Sequence, residues 1–265
     1  MCRLSSSFYD ILAKTELNHE DITCLRDMYI RLEDEINLLK EVFSGIPLDN
    51  KRILDIGTGQ GFACKFLVDN SHDSLILTVD LDPLCLNRLR NIVGDKIDKI
   101  VFVRGDASNM PFLASNFFDI ALAHYTLSQI SVKKLPLALR EICRVLRPGG
   151  LFIVTEGFGE GIFDEARKLV IELEKIYEKI FGDEEADLDV LLSLIRKTPD
   201  LSIISIRKLN NGRLDPTVKD FANFLLSHTR DDELKTRIRR IIDRGLKIGF
   251  REAPDYAVYI QKHEY

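Results

Sequence analysis

The run Ile53-Leu54-Asp55-Ile56-Gly57-Thr58-Gly59-Gln60-Gly61 places a carboxylate and three alternate glycines at the end of an apolar stretch. Glycine at such a turn tolerates dihedrals that side chains resist and lets a ligand approach the backbone with no Cβ between them. A nicotinamide-binding fingerprint would carry its third glycine at position 62, and that residue is Phe62. Asp55 lies two residues before Gly57, where a carboxylate can help to hold the cationic end of a methionine moiety. The spacing therefore favours S-adenosylmethionine (SAM) over a nicotinamide dinucleotide, with Gly57, Thr58, Gly59 and Gly61 as contacts of the turn. The competing reading is a tight turn between strand and helix that holds no ligand.

Two further carboxylates follow at strand ends. Thr78-Val79-Asp80-Leu81-Asp82 offers Asp80 to the two hydroxyls of a ribose and Leu81 as an apolar surface for adenine. Asp80 could instead cap the next helix, but Asp82, followed by Pro83, is better placed for that. In Arg104-Gly105-Asp106-Ala107, Asp106 can accept from an adenine amino group and Ala107 can donate its N–H to a ring nitrogen, or Asp106 can cap a loop.

Positioning these groups requires strands that end where they stand. Short apolar runs at Arg52–Ile56, Leu75–Asp80, Ile100–Arg104, Asp119–His124 and Leu151–Glu156 read as strands covered on both faces. Later strands are expected at Leu201–Leu209 and Tyr256–Lys262, with Asn210-Asn211-Gly212 as a turn. Arg147-Pro148-Gly149-Gly150 is expected to stop the helix before the fifth strand. The resulting fold is α/β, a Rossmann-like, doubly wound and mainly parallel seven-stranded sheet with helical cap elements. Helical periodicity from Ser7 to Phe43 makes residues 1–50 an N-terminal helical cap segment. Residues 51–265 then form the main domain, with helical inserts at about 157–200, broken near Gly182, and 213–250.

Composition narrows the function classes. The formal net charge of −5 argues against a large nucleic-acid surface, since such binding relies on Lys and Arg neutralising phosphates. Arg237, Arg239, Arg240, Arg244, Lys247 and Arg251 do cluster, but with Asp231, Asp232, Glu233 and Asp243 among them they read as a solvated helix face. Five scattered cysteines (Cys2, Cys24, Cys64, Cys85, Cys143) show neither zinc-site nor disulfide spacing, which points to a reducing cytoplasm. No export signal or membrane span is visible, and the histidines share no metal-binding spacing, so no metal is expected.

Together these segments resemble the SAM-binding motifs of the class I SAM-dependent methyltransferases, in particular the type 11 or UbiE-like family. The resemblance runs from about Arg52 to Glu156 and includes Asn116–Ile120 entering the fourth strand and Leu139–Gly150 leading into the fifth. It implies methyl transfer from SAM, with S-adenosylhomocysteine as product. In this fold the end of the fourth strand faces the methyl. His124 is therefore a candidate general base, or a pocket-lining residue that holds the cofactor through its backbone, and Tyr125 a hydrogen-bonding partner of the acceptor. In relatives an N-terminal aromatic closes over SAM, a role for Phe8 or Tyr9 here, unless they anchor the first helix instead. No Asn-Pro-Pro-Tyr or Asp-Pro-Pro-Tyr follows the fourth strand and no Pro-Cys stands there, which disfavours the base-methylating enzymes.

The leading expectation is an enzyme acting on a small or medium-sized acceptor. A methyltransferase acting on protein or RNA, and a non-catalytic SAM-binding subunit, are the alternatives. Apolar positions on the late helices are expected to bury either the acceptor or a second copy of the chain, as in a homodimer.

Overall fold

The computed structural model describes residues 32–158, 163–181, 188–215 and 218–264. The chain divides into two compact units, Met1–Pro47 and Leu48–Tyr265. In the first, helix α1 covers residues 32–42 and closes in a turn where the Ile46 N–H reaches the Phe43 carbonyl. The remainder of the expected N-terminal helix pair, with Phe8 and Tyr9, lies outside the described residues.

The second unit alternates strands and helices. Its strands are β1 (Arg52–Ile56), β2 (Leu75–Asp80), β3 (Ile100–Arg104), β4 (Phe118–His124), β5 (Leu146–Gly157), β6 (Leu201–Lys208) and β7 (Asp255–Lys262). Its helices are α2 (Phe62–Asn70), α3 (Cys85–Val93), α4 (Leu135–Val145), α5 (Glu165–Phe181), α6 (Leu188–Lys197), α7 (Val218–His228) and α8 (Asp232–Ile248). The seven strands form one sheet in the order β3-β2-β1-β4-β5-β7-β6, in which β7 alone runs antiparallel, between β5 and β6. This is the expected doubly wound, mainly parallel sheet. The order reverses direction between β1 and β4, where open α/β sheets leave a crevice at the carboxyl ends of their strands.

The two faces of the sheet follow from the period of two along each strand. Leu54, Ile56, Ala121, Ala123, Phe152 and Val154 point to one side, where they pack with Leu139 and Ile142 of α4 and Leu191, Leu192 and Ile195 of α6. Asp55 is opposite Thr78 on β2 and Leu122 on β4, so those three share the other face, which α2 covers through the thiol of Cys64. His124 and Thr155, paired in register, stand on the same face as Asp55, two residues beyond Leu122 and Ile153.

Three findings correct or sharpen the sequence reading. Arg147-Pro148-Gly149-Gly150 lies inside β5 and does not stop a helix. α4 has already ended at Val145, Leu146 is extended, and proline disfavours helical dihedrals at Arg147 before it. Gly149, at φ +70°, carries the strand through a register shift, and pairing with β4 resumes at Leu151. The late insert around 213–250 is two helices, because Asp231 ends the connection by capping α8, accepting the N–H groups of Glu233 and Leu234 at 2.9 and 3.1 Å. Finally, α6 belongs to the main core, whereas α5, α7 and α8 pack on one another around Leu173, Ile176, Ala222, Leu225, Ile238 and Ile241.

Candidate functional site

A cavity of about 360 Å³ opens at the carboxyl ends of β1, β2, β3 and β4. Gly57 and Gly59 form one wall and Asp80 and Leu81 a second. Gly105, Asp106 and Ala107 form a third, and His124, Tyr125, Thr126, Gln129 and Ile130 close the side toward β5. Four separate segments of the sequence thus meet at one place. None of the lining residues comes from α5, α7 or α8.

The glycine turn has three different local demands. Gly57 (φ +84°) has the Thr126 side chain against it, so that a Cβ would meet Thr126 Oγ1 at 2.2 Å. Gly61 (φ +88°) packs against Leu89 and Ile92 of α3 and lets α2 start close to its neighbour. Gly59 (φ +51°) has nothing within 4 Å of where its Cβ would be. Only at Gly59 would a side chain project into open space, which is where a ligand can approach the backbone.

The carboxylate of Asp80 ties that turn to β2. Its Oδ2 accepts the Gly59 N–H at 3.0 Å and its Oδ1 accepts the Asp82 N–H at 2.9 Å. Asp82 in turn accepts the Leu84 N–H at 2.9 Å and pairs with Arg88, so the helix-entry role falls to Asp82 and leaves Asp80 at the cavity wall. Leu81 beside it is 63% exposed, an apolar side chain left largely uncovered by the described residues. Asp106 takes the loop role: Oδ1 accepts the N–H and hydroxyl of Ser108 at 2.8 and 2.7 Å, and Oδ2 faces the Lys134 ammonium at 3.2 Å. The Ser108 bonds hold its carboxyl below the usual range, with Lys134 adding to them, and it still lines the cavity.

Asp55 and Thr58 lie underneath. Asp55 is fully buried and forms no part of the cavity wall. The Thr78 hydroxyl donates to its Oδ2 at 2.8 Å and the Cys64 thiol at 3.2 Å. Thr78 having spent its proton on Asp55, the 2.7 Å contact between Thr58 and Thr78 must be donated by Thr58, giving a chain from the turn down to the carboxylate. The second oxygen, Oδ1, has no hydrogen-bond partner. Burial first of all pushes the Asp55 carboxyl up to about 6, against the lowering effect of Thr78 and Cys64.

On the β5 side, His124 Nδ1 lies 2.5 Å from Thr155 Oγ1, which fixes the orientation of the ring. Tyr125 has a left-handed backbone (φ +50°), held by its N–H to the Thr155 carbonyl at 2.9 Å, and its ring lies 4.5 Å from that of His124. A large side chain in that conformation is a strained placement of the kind that gathers at ligand sites.

Sequence reasoning missed two features. Thr126, under Gly57, carries no signal of its own. Glu156 does: it is the one charge ending the apolar run Leu151–Thr155, yet it is only 2% exposed. The N–H and hydroxyl of Ser128 donate to it at 3.1 and 2.8 Å, and burial pushes its carboxyl up to about 7.

Comparison with known proteins bears on what this arrangement is. Residues 54–154 match the family model described as a methyltransferase domain. The chain is 29% identical over 180 residues to the ubiquinone/menaquinone biosynthesis C-methyltransferase UbiE of Paracoccus denitrificans, spanning 63% of this chain and 69% of that protein. It is 32% identical over 130 residues to phthiotriol/phenolphthiotriol dimycocerosates methyltransferase 1 of Mycobacterium ulcerans, which covers 46% of this chain and less than half, 44%, of that protein. Among solved structures, geranyl diphosphate C-methyltransferase of Streptomyces coelicolor, in complex with Mg2+, geranyl diphosphate and S-adenosyl-L-homocysteine, superposes with a TM-score of 0.56 at 12% identity, over 87% of this chain and 79% of that one. At that identity the likeness is one of fold. With the glycine turn, the carboxylate at the tip of β2 and the β5-β7-β6 edge all in place, residues 54–154 carry a methyltransferase domain, and the chain is similar to class I SAM-dependent methyltransferases of type 11.

Proposed function

We propose that the protein transfers a methyl group from SAM to a small or medium-sized acceptor. The observation that carries this is the convergence of Gly59, Asp80, Leu81, Asp106, Ala107 and His124 on one cavity at the switch point of the sheet. When bound, SAM supplies a methyl group already activated by its positive sulfur. The protein's own task is alignment and exclusion of water, and alignment alone can contribute roughly 7–11 kcal/mol.

In this reading the open space over Gly59 admits the cofactor to the backbone. Asp80 keeps lone pairs beyond its two bonds to N–H groups and offers them to the ribose hydroxyls. Leu81 lies against the adenine, Asp106 accepts from its amino group in competition with Lys134, and the Ala107 N–H donates to the ring. Asp55 acts from below, by holding the turn through Thr78 and Thr58 and by its field. His124, its Nδ1 tied to Thr155, is the proposed base for an acceptor that arrives protonated, and Tyr125 its proposed hydrogen-bonding neighbour. The inserts, which contribute no wall to the described cavity, are proposed to bear on the acceptor.

The relatives named above are enzymes of small molecules by name, which supports the same acceptor class here. The basic cluster supports it as well: Arg237 pairs with Glu172, Arg244 with Glu165 and Arg251 with Asp164, so half of those cations are already answered by acids of α5 and the segment before it. Cys64, Cys85 and Cys143 are buried free thiols, in keeping with a cytoplasmic location, and no helix among the described residues is long and apolar enough to cross a membrane.

The test is calorimetric titration with S-adenosylhomocysteine of the wild type and of Asp80→Ala. Binding by the wild type and a loss of tenfold or more in the variant is the expected result. A folded wild type that does not bind would overturn the proposal.

A further inference from the structure

Glu156 is a buried carboxyl without a cation. It is the next-to-last residue of β5, lies 2% exposed, and forms no ion pair with any described residue. Among the described residues its hydrogen-bond donors are neutral: the N–H and hydroxyl of Ser128 and the backbone N–H of Leu127. Ser128 sits in the middle of the connection after β4, of which Tyr125, Thr126, Gln129 and Ile130 all line the cavity. The carboxyl therefore lies directly behind the cavity wall on the side away from Asp80. Burying a charge with no counter-charge is costly, and proteins seldom keep one unless a partner arrives.

We propose that the missing counter-charge is brought by the ligand: Glu156 favours the sulfonium cofactor over its neutral thioether product, and so helps to expel S-adenosylhomocysteine after transfer. This rests on reading the cavity as the SAM site. The cofactor differs from the product by one methyl and one positive charge, so shape contacts barely separate the two, whereas a carboxylate within a low-dielectric wall does. At a separation of about 10 Å and an effective dielectric constant of about 20, one such charge is worth roughly tenfold in affinity.

A carboxyl poised near 7 is suited to this role, because an arriving cation draws it into the ionised form and a neutral ligand does not. The titratable groups around it are few. His124 and Tyr125 stand at the end of β4, Tyr256 is opposite Glu156 on β7 with Asp255 beside it, and Asp55 lies at the end of β1 on the other face of the sheet. Asp55 shares the same electrostatic sense but is tied to Thr78 and Cys64 at the foot of the glycine turn.

The experiment is calorimetric titration at pH 6.5 of wild type and Glu156→Gln with SAM and, separately, with S-adenosylhomocysteine, each in two buffers of different ionisation enthalpy. The amide is isosteric and can keep both contacts with Ser128. The expected result is that the wild type releases protons on binding SAM and not on binding the product. In Glu156→Gln the release falls and SAM binds about tenfold more weakly, while product affinity is unchanged. Equal weakening of both ligands, or an unchanged SAM-to-product ratio, would overturn the proposal. Should the variant not fold, equal proton release by the wild type with the two ligands would do the same. Failure of the folded wild type to bind either ligand would instead strike at the SAM site itself.

Discussion

Thr126 stands so close to Gly57 that a Cβ on that glycine would come within 2.2 Å of its hydroxyl oxygen, while Gly59, two residues on, faces open space. The two glycines therefore do different work. Gly57→Ala adds a clash to the left-handed penalty and is expected to lower the melting temperature strongly. Gly59→Ala meets only the backbone penalty, about 1–2 kcal/mol, yet places a methyl in the open space proposed above for the cofactor. It should fold and bind S-adenosylhomocysteine at least tenfold more weakly. Thermal unfolding and calorimetry on both variants check this; equal melting temperatures would contradict it.

Asp55 predicts a slope of stability with pH. Its carboxyl titrates at about 6 in the folded protein against 3.8 for the free group, so the native state holds a proton that the unfolded chain gives up. A raised carboxyl contributes stability that is present below about pH 4 and is lost as the pH rises through 6. The loss is of the order of 2–3 kcal/mol for this group. Glu156 acts in the same sense, at about 7. Urea denaturation between pH 4 and pH 8 should show falling stability in the ligand-free wild type, and in Asp55→Asn a curve that is clearly flatter between pH 4 and pH 6.

Lys262 provides a control far from the cavity. Its ammonium donates to Asn116 Oδ1 at 2.7 Å and to the Leu146 carbonyl at 2.8 Å, at the amino ends of β4 and β5. Lys262→Met would leave that carbonyl and the Asn116 side chain without their donor, at a cost of about 1–3 kcal/mol. Ligand affinity should be unchanged, and a large loss of binding in this variant would mean that the two ends of the sheet are coupled.

The arginines of the late helices should differ from one another. Arg244 and Glu165 form a solvent-exposed pair, and removing the arginine is expected to leave the melting temperature unmoved. Arg251 is only 19% exposed and binds both Asp164 and the Gly212 carbonyl, at 2.9 Å each. Arg251→Ala should therefore cost about 1–2 kcal/mol. Matched unfolding curves would decide the order.

Much of this was legible in the sequence, for reasons that can be located. β1, β2 and β3 keep the bounds read from their apolar runs, because each is a continuous stretch ended by glycine or aspartate. The glycine turn and Asp80 announced themselves by spacing. β5 was read too short because Pro148 and two glycines look like punctuation, whereas pairing with Phe118 keeps Leu146 extended before they are reached. Glu156 escaped because one charge at a strand end ordinarily meets water. Its burial comes from β7 and from Ser128, both distant in sequence, and no local pattern encodes that. Asp55 illustrates the converse: the sequence suggested a contact with the cofactor, and the structure places it fully buried beneath the turn, outside the described cavity wall.

The position of β7 also bears on how the chain can be made. Among the described residues β6 pairs with β7 alone, and β7 slots between it and β5. During synthesis the segment from β1 to β5, which includes every residue lining the described cavity, can assemble as soon as it emerges. β6 must then wait, its edge unsatisfied, for the roughly fifty residues up to β7. A nascent chain stalled in that interval would hold a nearly complete cavity beside an unpaired strand. That is the stage at which aggregation is most to be expected and at which early occupancy by a ligand would be most protective.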